Sequence, residues 1–288
     1  MRMLLTAVAL SMAMAQANAA SPAIDRQAAA SRGTVELEMM TWPEIKAALA
    51  EGKTTALIYT GGTEQMGPQN VVGGHSLVGK PTAVAIAKEL GNALVLPTLP
   101  YTPNAANPAQ PGTLGLTTDL LGLVLERIAE QAILNGFKTV VLMGDHGGGQ
   151  PTVYEKVANE LTQKYAAKGS RVLYCSDVYK AAADAFDEYL DSKGYPPSSH
   201  GGLTITSLML YLTDGSWVRE NLVASALGDP VPAPGQRLDP SMLRVNNGII
   251  GDGRRSSAEL GKIEFDMRVD YAVKQIRSLM GDAKGSTN

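Results

Sequence analysis

Three histidines occur in the 288-residue chain, and each stands within one or two residues of glycine. His75 lies in Gly73-Gly74-His75-Ser76, His146 in Gly144-Asp145-His146-Gly147-Gly148-Gly149, and His200 in Ser198-Ser199-His200-Gly201-Gly202. A carboxylate in a similar setting, Glu64, occupies Gly61-Gly62-Thr63-Glu64-Gln65-Met66-Gly67-Pro68. Imidazole is a common metal ligand and the natural acid–base group near neutral pH. Glycine lets backbone approach a bound group closely. Two histidines and one carboxylate with open positions would hold a divalent cation, Zn2+ first, with Mn2+ or Fe2+ also compatible. Taken singly, each histidine could equally cap backbone groups in a glycine turn. No H-x-x-x-H helical pair adds to the spacing. The run 144–149 also resembles a phosphate cradle opening a helix, but it lacks the Lys-Ser/Thr pair of a P-loop and the G-x-G-x-x-G of a dinucleotide fold. Cys175 has no histidine next to it in sequence and reads as a small buried thiol.

Those residues need a frame, and the chain alternates strand and helix patterns. Thr41 with Glu44 three residues on, and Pro43 between them, is a capping box opening a helix over 45–50. Residues 55–60 form a β-rich run that stops at Gly61-Gly62, 81–90 reads as a helix ended by Gly91, and 93–96 as a strand. A long Pro/Asn/Ala loop, 97–112, follows; its Asn104, Asn107 and Gln110 would face a polar ligand at the entrance. Helices are expected over 118–135, 151–167 and 257–280, and strands over 138–143 and 171–175. This rhythm predicts βαβ units, hence a mainly parallel sheet in a three-layer α/β/α sandwich. Ligands bind such sheets beyond the carboxyl ends of the strands. The loops after residues 60 and 143 should therefore face one crevice, with all three histidines in loops.

Composition narrows the class further. The chain carries 25 Lys plus Arg against 28 Asp plus Glu, and 44% of it is hydrophobic. That excludes a disordered chain, and the lack of a basic block argues against nucleic-acid binding. A single cysteine excludes an internal disulfide framework and a multi-cysteine zinc site. Met1-Arg2, the apolar run 4–15 and Ala17-Asn18-Ala19 read as a signal peptide over 1–19, cleaved before Ala20. The run is shorter than the ~20 residues a span requires, so no membrane insertion is expected after cleavage. The expectation is a flexible leader over 20–40, one domain over 41–284, and export to the periplasm if the host is Gram-negative.

The motifs resemble the creatininase (creatinine amidohydrolase) family. The resemblance is carried by Glu64-Gln65-Met66-Gly67-Pro68 with His75 eleven residues after Glu64, by Pro111-Gly112-Thr113, and by Gly144-Asp145-His146-Gly147-Gly148. His200-Gly201-Gly202 with Thr206-Ser207-Leu208-Met209-Leu210, and the tail from Gly251-Asp252 to Gly261-Lys262, complete it. The resemblance implies a three-layer α/β/α fold, a homohexamer, and hydrolysis of small C–N amide bonds at a two-metal centre. On that pattern one metal set is kept as Glu64, His75 and His146, with His75 where the family has a bridging Asp. The second set is broken, because Met66 replaces a His, Gly148 a Glu, and Ile205 the partner of the catalytic histidine. A thioether is a poor ligand for hard divalent ions. The resemblance thus implies a one-metal hydrolase of a small cyclic or linear amide, with His200 giving a proton to the leaving nitrogen and Asp145 orienting His146 or standing in for a lost acceptor. The alternative is a non-catalytic binding protein on the same fold. Fe(II) redox chemistry has only the ligand types in its favour.

Overall fold

The computed structural model describes residues 33–213, 215–232, 236, 239, 241 and 243–281. The expected signal peptide, and the leader up to residue 32, lie outside them. The end of that leader packs onto the sheet: Val35 is buried, its carbonyl accepts the Val95 N–H at 2.7 Å, and Glu36 bridges to Val95.

Four strands, β1 (Thr55–Thr60), β2 (Ala93–Val95), β3 (Thr139–Gly144) and β4 (Arg171–Tyr174), form one sheet in the order β2-β1-β3-β4, every pair parallel. Their side chains alternate between two cores. Ala56, Ile58, Leu94, Val140, Leu142 and Val172 enter one, while Leu57, Tyr59, Val95, Val141 and Met143 enter the other. A sheet buried on both faces needs apolar residues at nearly every position, which is why these strands read as unbroken hydrophobic runs. Helices α1 (Trp42–Ala50), α3 (Thr118–Leu134) and α4 (Gln150–Tyr165) cover the first face. Helix α2 (Gly74–Leu90) and the C-terminal helix α8 (Ala258–Met280) cover the second. The expected three-layer α/β/α sandwich with a parallel sheet is the architecture of the protein.

The Thr41–Glu44 capping box forms as expected, the carboxylate accepting the Thr41 N–H at 2.6 Å. Helix α2 departs from the expectation. It starts seven residues earlier, at Gly74, and carries Pro81 inside it rather than at its start. Proline suits a first turn, which is why the helical pattern starts at Pro81 in sequence; in the structure it sits in the third turn, where it withholds one N–H and crowds the carbonyl a turn back. Consequently His75 belongs to the first turn of a helix, not to a loop. Two helices escaped sequence reading, α5 (Lys180–Ser192) and α6 (Leu203–Leu212), with a single turn α7 (Glu220–Val223) after them. Among the described residues no helix is long and apolar enough to cross a membrane. Cys175 is fully buried, and burial pushes its thiol up to about 12, in keeping with a packing role.

Candidate functional site

The carboxyl ends of β1 and β3 are fastened together before any functional side chain appears. The Gln150 side chain, buried at the start of α4, donates to the Thr60 and Gly61 carbonyls and, at 2.6 Å, to the Thr102 hydroxyl, while its oxygen accepts the His146 N–H at 3.2 Å. Beyond β1, Gly61 passes so close to α2 that a Cβ there would run into the backbone of Ser76. The Gly62 N–H then donates to the Ser76 hydroxyl at 3.2 Å. This contact sets His75, on the first turn of α2, opposite Glu64.

Glu64 is the hub. Its Oε2 lies 3.4 Å from His75 Nε2 and 3.1 Å from His146 Nε2, and its Oε1 lies 3.8 Å from His200 Nδ1. The His75 and His146 rings meet edge to face with centroids 5.5 Å apart. Burial favours the neutral acid, but the contacts with His146 and His75 and the charge of the imidazoles outweigh it and hold the Glu64 carboxyl well below the usual carboxylate range. Behind His75, Asp145 Oδ1 lies 3.2 Å from Nδ1, and Asp145 Oδ2 accepts from Arg268 at 3.3 Å. Arg268 in turn pairs with Glu264 one turn back on α8, at 2.7 Å. All three of these outer groups are buried. Burial opposes charge on His75 as well, yet Asp145 and Glu64 prevail and push it up to about 10. Desolvation lowers His200. Its Nε2 lies 2.8 Å from the Gln65 carbonyl and 3.1 Å from the Gln65 side-chain amide nitrogen; the shorter contact, to an oxygen that can only accept, favours the tautomer with the proton on Nε2 and a lone pair on Nδ1 toward Glu64.

The structure corrects the expected role of Asp145. It faces His75, not His146, whose Nδ1 instead accepts the Gly148 N–H at 3.1 Å. The reason is local: Gly147 and Gly148 turn the chain back onto the ring before a carboxylate can reach it. Asp145 against Nδ1 leaves Nε2 of His75 toward the Glu64 oxygen, which is how outer carboxylates orient ligating imidazoles. Glu64 Oε2 is buried and makes no aligned hydrogen bond. Ligands ~2.0–2.1 Å from a tetrahedral ion lie ~3.3 Å from one another, and the 3.1 and 3.4 Å separations fall beside that value. Glu64 and His75 thus have the spacing for a divalent ion, which His75 would ligate through Nε2 on losing its proton. His146 turns Nε2 to the same oxygen while its Nδ1 accepts the Gly148 N–H, so it would ligate through Nε2 on giving up the proton that nitrogen carries. Accordingly, among the described residues no three His, Cys, Asp or Glu side chains form a ready-made cage.

Met66 and Ile205 line the cleft and also pack into a buried apolar cluster with Val78, Leu208 and Met209, so apolar side chains stand where the resemblance implies partners for a second ion and for the catalytic histidine. At Gly148 a Cβ would lie 2.7 Å from Cε1 of His146. Gly148→Ala is therefore expected to displace the imidazole and weaken ion binding by about tenfold or more. Calorimetric titration with Zn2+ checks this; unchanged affinity would remove His146 from the set.

These groups line a cleft of about 330 Å³, walled on the far side by α5 and by the loop that carries His200. The entrance loop contributes less than expected. Asn104 reaches His146 Nε2 at 3.4 Å, but Asn107 bonds Gln110, and Gln110 bonds the Asn246 carbonyl at 2.8 Å. Sequence reading missed Arg268 and Glu264. Their signal was two opposite charges four residues apart on the stripe 260, 264, 268, 272, 276 of an otherwise apolar helix face.

Comparison with known proteins accords with this frame. The family model for creatininase, creatinine amidohydrolase, matches residues 38–276. The chain belongs to the creatininase family. Among solved structures it is similar to creatinine amidohydrolase (creatininase), with a TM-score of 0.72, 23% identity, and 86% of this chain and 98% of that one covered. The manganese form of creatininase gives a TM-score of 0.72 at 23% identity, covering 85% and 98%. A putative creatinine amidohydrolase from Bacteroides fragilis NCTC 9343 gives 0.66 at 15% identity, covering 88% and 99%. None of the curated proteins matches.

Proposed function

We propose that this chain is a metal-dependent amidohydrolase that cleaves the C–N bond of a small cyclic or linear amide, using one divalent ion held by Glu64, His75 and His146. The observation that carries the reading is a single buried carboxylate oxygen shared by two imidazoles at the foot of a cleft that also receives His200. Creatininase structures bearing manganese and a Zn-Zn form support a divalent cation. A divalent ion at such a place polarises a carbonyl and acidifies water. The protein's own part follows from its hydrogen bonds. Asp145 holds His75 in register. His200, uncharged and with Nδ1 bare, starts as an acceptor: it takes the proton of the attacking water and passes it to the leaving nitrogen. Its proton donation, expected from sequence, is the second half of that transfer. Export, read from residues 1–19, would place the reaction outside the cytoplasm.

The test is turnover of a panel of lactams and small primary amides by Zn2+- or Mn2+-supplemented protein, following ammonia or amine release. His200→Ala should lower kcat by about 10²–10⁴-fold with ion content unchanged. An ion-loaded protein that binds amides without cleaving any would instead be the binding protein, a reading favoured by the apolar surroundings of Ile205, where His200 would otherwise find a carboxylate partner.

A further inference from the structure

Of the side chains lining the cleft, every carboxylate but one is engaged. Glu64 meets His75 and His146, and Asp145 meets His75 and Arg268. Arg268, the guanidinium of the lining, is taken by Asp145 and Glu264. Asp187 lines the same cleft, exposed at its rim, and makes no ion pair or hydrogen bond with any described residue. Its neighbour Asp184 is already paired with Lys180 at 2.7 Å. Partial desolvation and the charge of Asp184 raise the Asp187 pKa, so its immediate surroundings offer it no cation.

The placement gives a length. Tyr179 at the N-cap of α5, and Ala183 and Asp187 within it, follow at four-residue intervals and line the cleft as one stripe. Tyr179 closes the inner end, where a Cβ on Gly147 would lie 3.4 Å from its hydroxyl, next to His146. Eight residues of helix separate it from Asp187, about 12 Å. We propose that the cleft selects amides bearing a protonated amine or guanidine several bonds from the scissile carbonyl, with Asp187 as the residue that holds the cation. This rests on the amidohydrolase reading and adds a substrate class to it: a cation too close to the carbonyl would not reach the rim.

The test measures binding apart from turnover. Full-length, Zn2+-supplemented protein is titrated with 6-aminohexanamide, with hexanamide, and with adipic acid monoamide. The wild type should bind the amine about fivefold more tightly than hexanamide, Asp187→Asn should bring the ratio to about one, and Asp187→Lys should turn the preference to the monoamide's carboxylate. Equal binding of the first two, binding of neither, or a preference that survives Asp187→Asn overturns the proposal. A charge preference without amide cleavage upholds it while removing the hydrolase reading. Cleavage without charge preference does the reverse.

Discussion

Arg268→Met is expected to destabilise the native protein by about 3–5 kcal/mol, the largest single loss foreseen for this fold. Arg268 lies buried on α8 between two carboxylates, Glu264 at 2.7 Å and Asp145 at 3.3 Å. Removing the guanidinium leaves Glu264 in the interior without a counter-charge and Asp145 with His75 alone, and it is the orphaned charge, more than the lost attraction, that sets the cost. Burial already pushes Glu264 upward despite its arginine. Urea unfolding would show a lower midpoint at unchanged slope. Adding Glu264→Gln should return part of the loss by taking away one unpaired charge. A loss below ~1 kcal/mol for Arg268→Met would mean that the chain from α8 to His75 does not sustain the site.

Glu64→Gln is the second. The carboxylate oxygen between His75 and His146 is the one position both imidazoles share, so the amide should reduce bound divalent ion from about one per chain to background, weakening affinity by more than ~100-fold. Metal analysis after dialysis reads it directly. The wild type adds a pH dependence of definite sign. His75 is pushed up from 6.5 to about 10, so below pH 10 an ion must displace its proton. Affinity should rise with pH by up to about tenfold per unit, one proton released per ion. In the metal-free protein, the stability that charged His75 lends is complete below pH 6.5 and lost as pH passes through 10. The rise in melting temperature on adding Zn2+ should therefore grow across that window. Uptake without proton release would contradict the assignment of His75.

Much of the frame was legible because strands buried on both faces leave no room for polar residues. Thr55–Thr60, and most of the strands after it, stand out as apolar runs ended by glycine or a turn. What stayed hidden depended on contacts between distant segments. Helix α2 begins at Gly74 because Gly61 presses on Ser76, fifteen residues away, and nothing local at Pro81 betrays that. Helix α6 is apolar nearly all round, so it carries no one-sided pattern to detect. The candidate site followed the same division. Glu64, His75 and His146 could be named from their glycine settings, and they meet. The pairing of Asp145 with His75 rather than His146 depends on where α2 starts, and Arg268 on the docking of a helix more than a hundred residues downstream.

The apolar cluster of Met66, Ile205 and Met209 constrains how the cleft could be rebuilt. An imidazole placed at position 66 alone would be buried among hydrocarbon, and a carboxylate at 205 alone would be desolvated with no cation to meet. Polar groups can enter that wall only as a matched set, so a redesign that proceeds one substitution at a time would lose stability before it gained a second binding position.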